Sequence, residues 1–253
     1  MLRNATNLLT KWNARKNRKP LIVWGARQVG KTYLVKDIFA EKYYSNAYIY
    51  IDFKIEDEIR DFCDHTANAE KIIEYISLYK GKDITKNTLL IFDEIQECPN
   101  IISSLKYFCQ DFREIPVIAT GSMVRIRLQR ELTRNGSTQK FMFPVGKIEQ
   151  LTIYPLSFDE FLLNSNEKLF NAAKKAYESR TPLNGSIHEL VLNEFYKYLL
   201  IGGMPEAVNT YFESNSFLES RRVLKDLYDN YLSDMELYQA SREFILKYIW
   251  AIK

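Results

Sequence analysis

The sequence predicts an α/β fold: a parallel sheet sandwiched by helices, followed by a helical subdomain. Three observations predict it. Short apolar runs alternate with helical stretches through the first half of the chain, the pattern of a parallel sheet covered on both faces. One such run leads through a glycine-rich loop into a helix. From Asn166 onward the chain reads as helix.

The elements follow in order. Residues 1–19 read as a short helix, with Leu8, Leu9 and Trp12 at helical spacing and Lys11, Arg15, Lys16 and Arg18 around them. It is expected to pack beside the first strand. Its basic residues read as a solvated face, with a nucleic-acid contact as the other reading. Leu21-Ile22-Val23-Trp24 is a buried strand and residues 31–43 a helix. Residues 46–52, rich in aromatic and β-branched side chains, form a second strand. Helices over 55–64 and 69–79 follow, the latter ended by Gly81 and polar residues to Asn87. Residues 88–94 are an apolar strand ending in Asp93 and Glu94. Ile101, Leu105, Phe108, Cys109 and Phe112 repeat at helical spacing as one buried face. Pro116-Val117-Ile118-Ala119-Thr120 is a further buried strand, and Gly121-Ser122 opens a helix. Asn135-Gly136-Ser137 reads as a turn, and 141–147 and 148–153 as extended. Ser157 and Glu160 have capping-box spacing, so a helix starts there. Leu224, Leu227, Tyr228, Tyr231, Leu232 and Met235 form an apolar stripe, read as core of the helical subdomain or as an interface for a further domain.

The chemistry concentrates in two places. Gly25-Ala26-Arg27-Gln28-Val29-Gly30-Lys31-Thr32 has the spacing G-x-x-x-x-G-K-[ST] of a phosphate-binding loop. Between strand and helix, such a loop aims backbone N–H groups and a helix dipole at an anion. Lys31 is placed to reach the β- and γ-phosphates of ATP, and the Thr32 hydroxyl to hold Mg²⁺. The strand ending in Asp93-Glu94 supplies the second half, because ligands in open α/β sheets gather at the carboxyl ends of strands. Asp93 is placed to hold the Mg²⁺ shell, and Glu94 to polarise an attacking water as a general base. Thr120 and Ser122 fall at the same edge, near the γ-phosphate. There Ser122 can contact phosphate or water, cap the following helix, or do both.

Composition narrows the classes. The 253 residues are 46% hydrophobic, enough for a sizeable core, and the net charge of +3 is too small to argue for a nucleic-acid or membrane partner. Cys63, Cys98 and Cys109 show no paired spacing, which fits a reducing cytosol. His65 and His188 alone make no zinc cluster. No apolar stretch approaches the roughly 18 residues of a membrane span.

Gly25–Thr32, Leu90-Ile-Phe-Asp-Glu-Ile-Gln96, Ala119-Thr-Gly-Ser122, Tyr154-Pro-Leu-Ser-Phe-Asp-Glu-Phe161 and Gly202-Gly-Met-Pro-Glu-Ala-Val208 together resemble bacterial and archaeal AAA-type P-loop ATPases similar to the STAND-like group. The resemblance runs from about residue 5 to about 240. It implies a P-loop core over 1–153, then over 154–253 a helical lid and the start of a C-terminal region. It also implies that Ser122 is the polar sensor, and that Pro205 lies in the lid motif whose proline approaches the adenine. Read from the residues alone, Pro205 is a first-turn helix proline after a glycine break. Where many members have Gly-Arg before the Pro-Leu-Ser-Phe segment, this chain has Gly146-Lys147, and lysine lacks arginine's planar two-pronged contact. Relatives continue past Met235, so a fragment is expected.

The expected function is Mg²⁺-dependent ATP hydrolysis used as a conformational switch in a cytoplasmic protein, with ATP as ligand and a protein partner or self-association possible. The positive charge that completes the site is expected from Arg27, Arg125, Arg127, Arg130 or Arg134, in cis or in trans. Two other classes share the loop: an interaction module regulated by bound nucleotide, and a P-loop kinase. The Asp93-Glu94 pair favours hydrolysis over transfer to an acceptor. The sequence contains no Asn-Lys-x-Asp segment for reading guanine.

Overall fold

The computed structural model describes residues 1–122 and 144–237, with the backbone alone in the last four. The expected helix after Ser122, the turn at Asn135, the extended residues 141–143 and the side chain of Met235 lie outside the described residues, as do Arg125, Arg127, Arg130 and Arg134. The described chain divides into two compact units, one of residues 3–154 and one of residues 1–2 with 155 onward.

The first unit is a five-stranded parallel sheet flanked by helices. Helix α1 (Asn4–Asn13) leads to β1 (Leu21–Gly25). The helix after the loop, α2, is wound as a π-helix over Tyr33–Ala40 and finishes as Glu41–Tyr43. Then come β2 (Tyr48–Asp52), α3 (Asp57–Asp64), α4 (Ala69–Lys80) and β3 (Leu89–Asp93). A single 3-10 turn, Ile95–Glu97, joins β3 to α5 (Pro99–Asp111), which is followed by β4 (Val117–Gly121) and β5 (Glu149–Ile153). The strand order is β2-β3-β4-β1-β5, with every pairing parallel.

Burial follows from that order. The central strands β3 and β4 are buried at every residue, as a continuous apolar run requires, whereas the edge strands β2 and β5 alternate. The core beneath the β2–β3–β4 half gathers Ile51, Phe53, Ile72, Phe92, Ile101 and Phe108, among others.

Helix α1 packs on α2, with Trp12 and Phe39 ring centroids 6.3 Å apart, and Leu8 is half exposed. One expectation is corrected, the extended reading of 144–147. Residues 144–147 form a turn closed by Lys147 N–H donating to the Pro144 carbonyl at 3.1 Å. Gly146 has φ +76°, a left-handed position that ends any extended run.

The second unit is helical: α6 (Phe158–Ser165), α7 (Glu167–Ser179), α8 (Gly185–Ile201), α9 (Pro205–Ser214) and α10 (Phe217–Leu237). The capping box at the start of α6 forms, with Ser157 accepting from Glu160 N–H and Glu160 accepting from Ser157 N–H. Its core is Leu156, Phe161, Ile201, Val208 and Tyr211. The expected stripe on α10 is a weak core contributor: Leu227 is buried, but Tyr228 is exposed.

Candidate active site

The loop residues Gly25, Ala26, Arg27, Gln28, Val29 and Gly30 run from the end of β1 to the helix that begins at Lys31. Gln28 and Gly30 have φ of +59° and +87°. Glycine takes such a conformation without the steric cost that Gln28 bears. A Cβ on Gly25 would stand 2.6 Å from the Ile153 carbonyl oxygen and 2.9 Å from Val29 Cγ2, so the loop can follow this path only with glycine there. Behind the loop, the Arg3 guanidinium donates to the carbonyls of Val29 and Tyr154. Arg3 carries no motif, and its role arises only from the fold.

Lys31 is buried, and its ammonium donates to the carbonyls of Ala26 at 2.8 Å and Gly25 at 3.2 Å. Burial pushes its pKa below the ordinary lysine value, and the nearby Arg27 pushes the same way, while the negative charges of Glu94 and Asp93 oppose the shift. The lysine thus sits within the field of both carboxylates.

Asp93 is the hub of the site. Its Oδ2 accepts from the Thr32 hydroxyl at 2.7 Å and from the Tyr50 hydroxyl at 2.8 Å. Its Oδ1 accepts from Glu94 N–H at 2.9 Å and from the buried Thr120 hydroxyl. Thr120, which the sequence placed with Ser122 at the sheet edge, thus gives its hydroxyl to Asp93. The Asp93 charge and burial both push the Tyr50 phenol well above its usual pKa, burial being the larger cause. Lys36 lies over the Tyr50 ring, 4.4 Å from its centroid. Asp52 pairs in register with Asp93 across β2–β3, and burial raises its carboxyl pKa, with the Asp93 charge adding to the shift.

Glu94 leaves the strand in a left-handed conformation, φ 53° and ψ 44°. For a non-glycine residue that costs about 1–3 kcal/mol, and such strain gathers at active sites. The turn swings the wholly buried Gln96 back toward the strand ends. Its amide nitrogen donates to Glu94 Oε2, and its amide oxygen accepts from Ser122 N–H at 3.2 Å. Ser122 is itself buried at the end of β4. The structure thus brings Lys31, Thr32, Asp93, Glu94 and Ser122 to one end of the sheet. It adds contacts to Asp93 from Tyr50 and Thr120 and a bridge through Gln96. Gln96 closes the Leu90–Gln96 motif and Thr120 lies at the named sheet edge, whereas Tyr50 was marked only as an aromatic residue in a strand.

Pro205 opens α9 at its first position, after Gly202 with φ +74°. Among the described residues no group of three His, Cys, Asp or Glu could hold a metal ion. All three cysteines are buried and free. No helix among the described residues is long and apolar enough to cross a membrane.

The family model of an AAA domain matches residues 17–162, more than half of the chain, and that span holds the loop, Asp93, Glu94 and Ser122. The chain belongs to the AAA-domain family. Membership implies that this AAA chain binds and hydrolyses ATP. The Walker-type ATPase PABY2304 of Pyrococcus abyssi matches at TM-score 0.51 and 16% identity, over 92% of this chain and 74% of its own. AMPPCP-bound DnaA from Aquifex aeolicus matches at TM-score 0.43 and 15% identity, over 93% and 70%. PCH-2 of C. elegans matches at 0.37 and 10%, over 84% and 61%. The likeness to the Pyrococcus protein is one of fold, that of a P-loop NTPase. No curated protein sequence matches the AAA chain.

Proposed function

We propose that this AAA chain is a Mg²⁺-dependent ATP hydrolase of the STAND-like group whose nucleotide cycle works as a conformational switch. The observation that carries the reading is the joined pair of half-sites. The Thr32 hydroxyl is hydrogen-bonded to Asp93, Glu94 follows directly, and the Lys31 ammonium lies in the field of both carboxylates.

In this reading the N–H groups of the 25–32 loop cradle the phosphates, and Lys31 carries positive charge to the β- and γ-phosphates. Thr32 and Asp93 offer the hard oxygen donors that suit Mg²⁺, an ion that uses one or two carboxylates alongside phosphate and water. The small donor set is therefore compatible with it. When bound, the ion supplies charge neutralisation on the phosphoryl oxygens. Tyr50, Thr120 and the Glu94 N–H hold the Asp93 carboxylate in one orientation toward Thr32. Glu94 accepts a proton from the attacking water. Ser122, at the end of β4, senses the γ-phosphate, and Pro205 approaches the adenine from the lid. The remaining positive charge comes from Arg27 or from one of Arg125, Arg127, Arg130 and Arg134. An arginine of this kind contributes about 10³- to 10⁵-fold in rate.

The test is phosphate release and ATP binding by the wild type, Lys31→Ala and Glu94→Gln, with and without Mg²⁺. Loss of binding in Lys31→Ala, with binding but no release in Glu94→Gln, supports the reading. ATP bound by the wild type without release makes the chain an interaction module regulated by nucleotide instead.

A further inference from the structure

The side chain of Gln96 bridges two strand ends that the proposed reaction needs together. It is wholly buried, its amide nitrogen donates to the Glu94 carboxylate, and its amide oxygen accepts from Ser122 N–H at 3.2 Å. This orientation is the only one that works. A flipped amide would set its oxygen against the carboxylate and its N–H₂ against the Ser122 donor. Gln96 thus fixes where the carboxylate sits relative to the end of β4.

The left-handed turn at Glu94 makes the bridge possible. The 3-10 turn Ile95–Glu97 then points the side chain back beneath β4 rather than outward. Gly121 leaves the room: a Cβ there would stand 3.0 Å from Gln96 Oε1 and 2.9 Å from Ile95 Cγ1. Three local features that a simple strand-to-helix connection does not need therefore converge on one buried amide.

We infer that Gln96 is a positioning residue for hydrolysis: it orients the Glu94 carboxylate and makes that orientation follow the position of the Ser122 backbone. Movement at Ser122 passes through one rigid amide to the base. The inference rests on the reading of Glu94 as general base. An amide that merely filled the core would affect stability, not the split between binding and turnover.

The test measures kcat for phosphate release and the Kd for ATP in the wild type, Gln96→Met, Gln96→Glu, Gly121→Ala, Glu94→Gln and the double variant Glu94→Gln/Gln96→Met. Gln96→Met removes both hydrogen bonds at similar volume. Gln96→Glu keeps the acceptor for Ser122 N–H but sets a like charge against Glu94. Gly121→Ala leaves Gln96 in the chain and displaces it. A misplaced catalytic group costs up to about 100-fold, so each of the three is expected to lower kcat by about 10- to 100-fold. The Kd for ATP should stay within about twofold, since the effect is on the reacting geometry. Adding Gln96→Met to Glu94→Gln should lower the residual rate no further, because residues acting as one unit are not additive. Wild-type kcat in Gln96→Met or Gln96→Glu, beside an inactive Glu94→Gln, would overturn the inference and leave the base assignment standing. Wild-type kcat in Glu94→Gln would instead overturn the reading on which it rests.

Discussion

Replacing Thr120 with valine separates two roles for a hydroxyl at the end of β4. Thr120 is wholly buried and donates to Asp93 Oδ1. Valine matches its shape, so no cavity forms and the loss is one hydrogen bond to a charged acceptor, about 1.5–3 kcal/mol. Asp93 keeps donors at Thr32, Tyr50 and its neighbour's N–H, so a value near ~2 kcal/mol is expected. For a chain of this size that is a fall in Tm of about 4–8 °C. Because the hydroxyl faces Asp93, the ratio of ATP to ADP affinity should stay near the wild-type value. Thermal unfolding with calorimetric titration of both nucleotides reads the two effects. An unchanged Tm with a selective loss of ATP affinity would instead put the Thr120 hydroxyl on the γ-phosphate.

Two further predictions concern the loop and its lysine. Gly25→Ala places a Cβ 2.6 Å from the Ile153 carbonyl oxygen, so the loop must shift and ATP affinity should fall by about tenfold or more, equivalent to about 1.4 kcal/mol; fluorescence titration with a labelled nucleotide checks this. ATP affinity should also fall as pH rises through the Lys31 pKa. The charged lysine binds phosphate, and burial has lowered that pKa from 10.5, so the loss begins at a lower pH than for an exposed lysine. Calorimetric titration of the wild type across alkaline pH tests the sign: an affinity that holds or rises there would contradict it.

The loop and the acidic strand end were legible because their chemistry is local. The spacing from Gly25 to Thr32 and the apolar run into Asp93-Glu94 each carry their meaning within a few residues. The β-strands were legible for the same reason: β1, β3 and β4 read as continuous apolar runs and prove to be the buried centre of the sheet. What the sequence hid depends on strand order. Tyr50 and Thr120 reach Asp93 only because β2 and β4 flank β3, and nothing local announces that adjacency. Gln96 stood in a motif, but its bridge needs the left-handed backbone of Glu94, which a glutamate does not advertise. The π winding of Tyr33–Ala40 has no signature in an ordinary amphipathic pattern. The α10 stripe left core and interface both open, because helical spacing of apolar residues does not say how much of the face finds a partner. The turn at 144–147 was missed because the apolar residues before it outweighed Gly146.

If Asp93, Glu94 and the loop form one hydrolytic site, single-turnover phosphate release from saturating Mg²⁺-ATP must separate the wild type from Glu94→Gln. A general base contributes about 10²- to 10⁴-fold. Glu94→Gln should release phosphate more slowly by that factor with ATP still bound. Release at the wild-type rate would remove Glu94 from the base role.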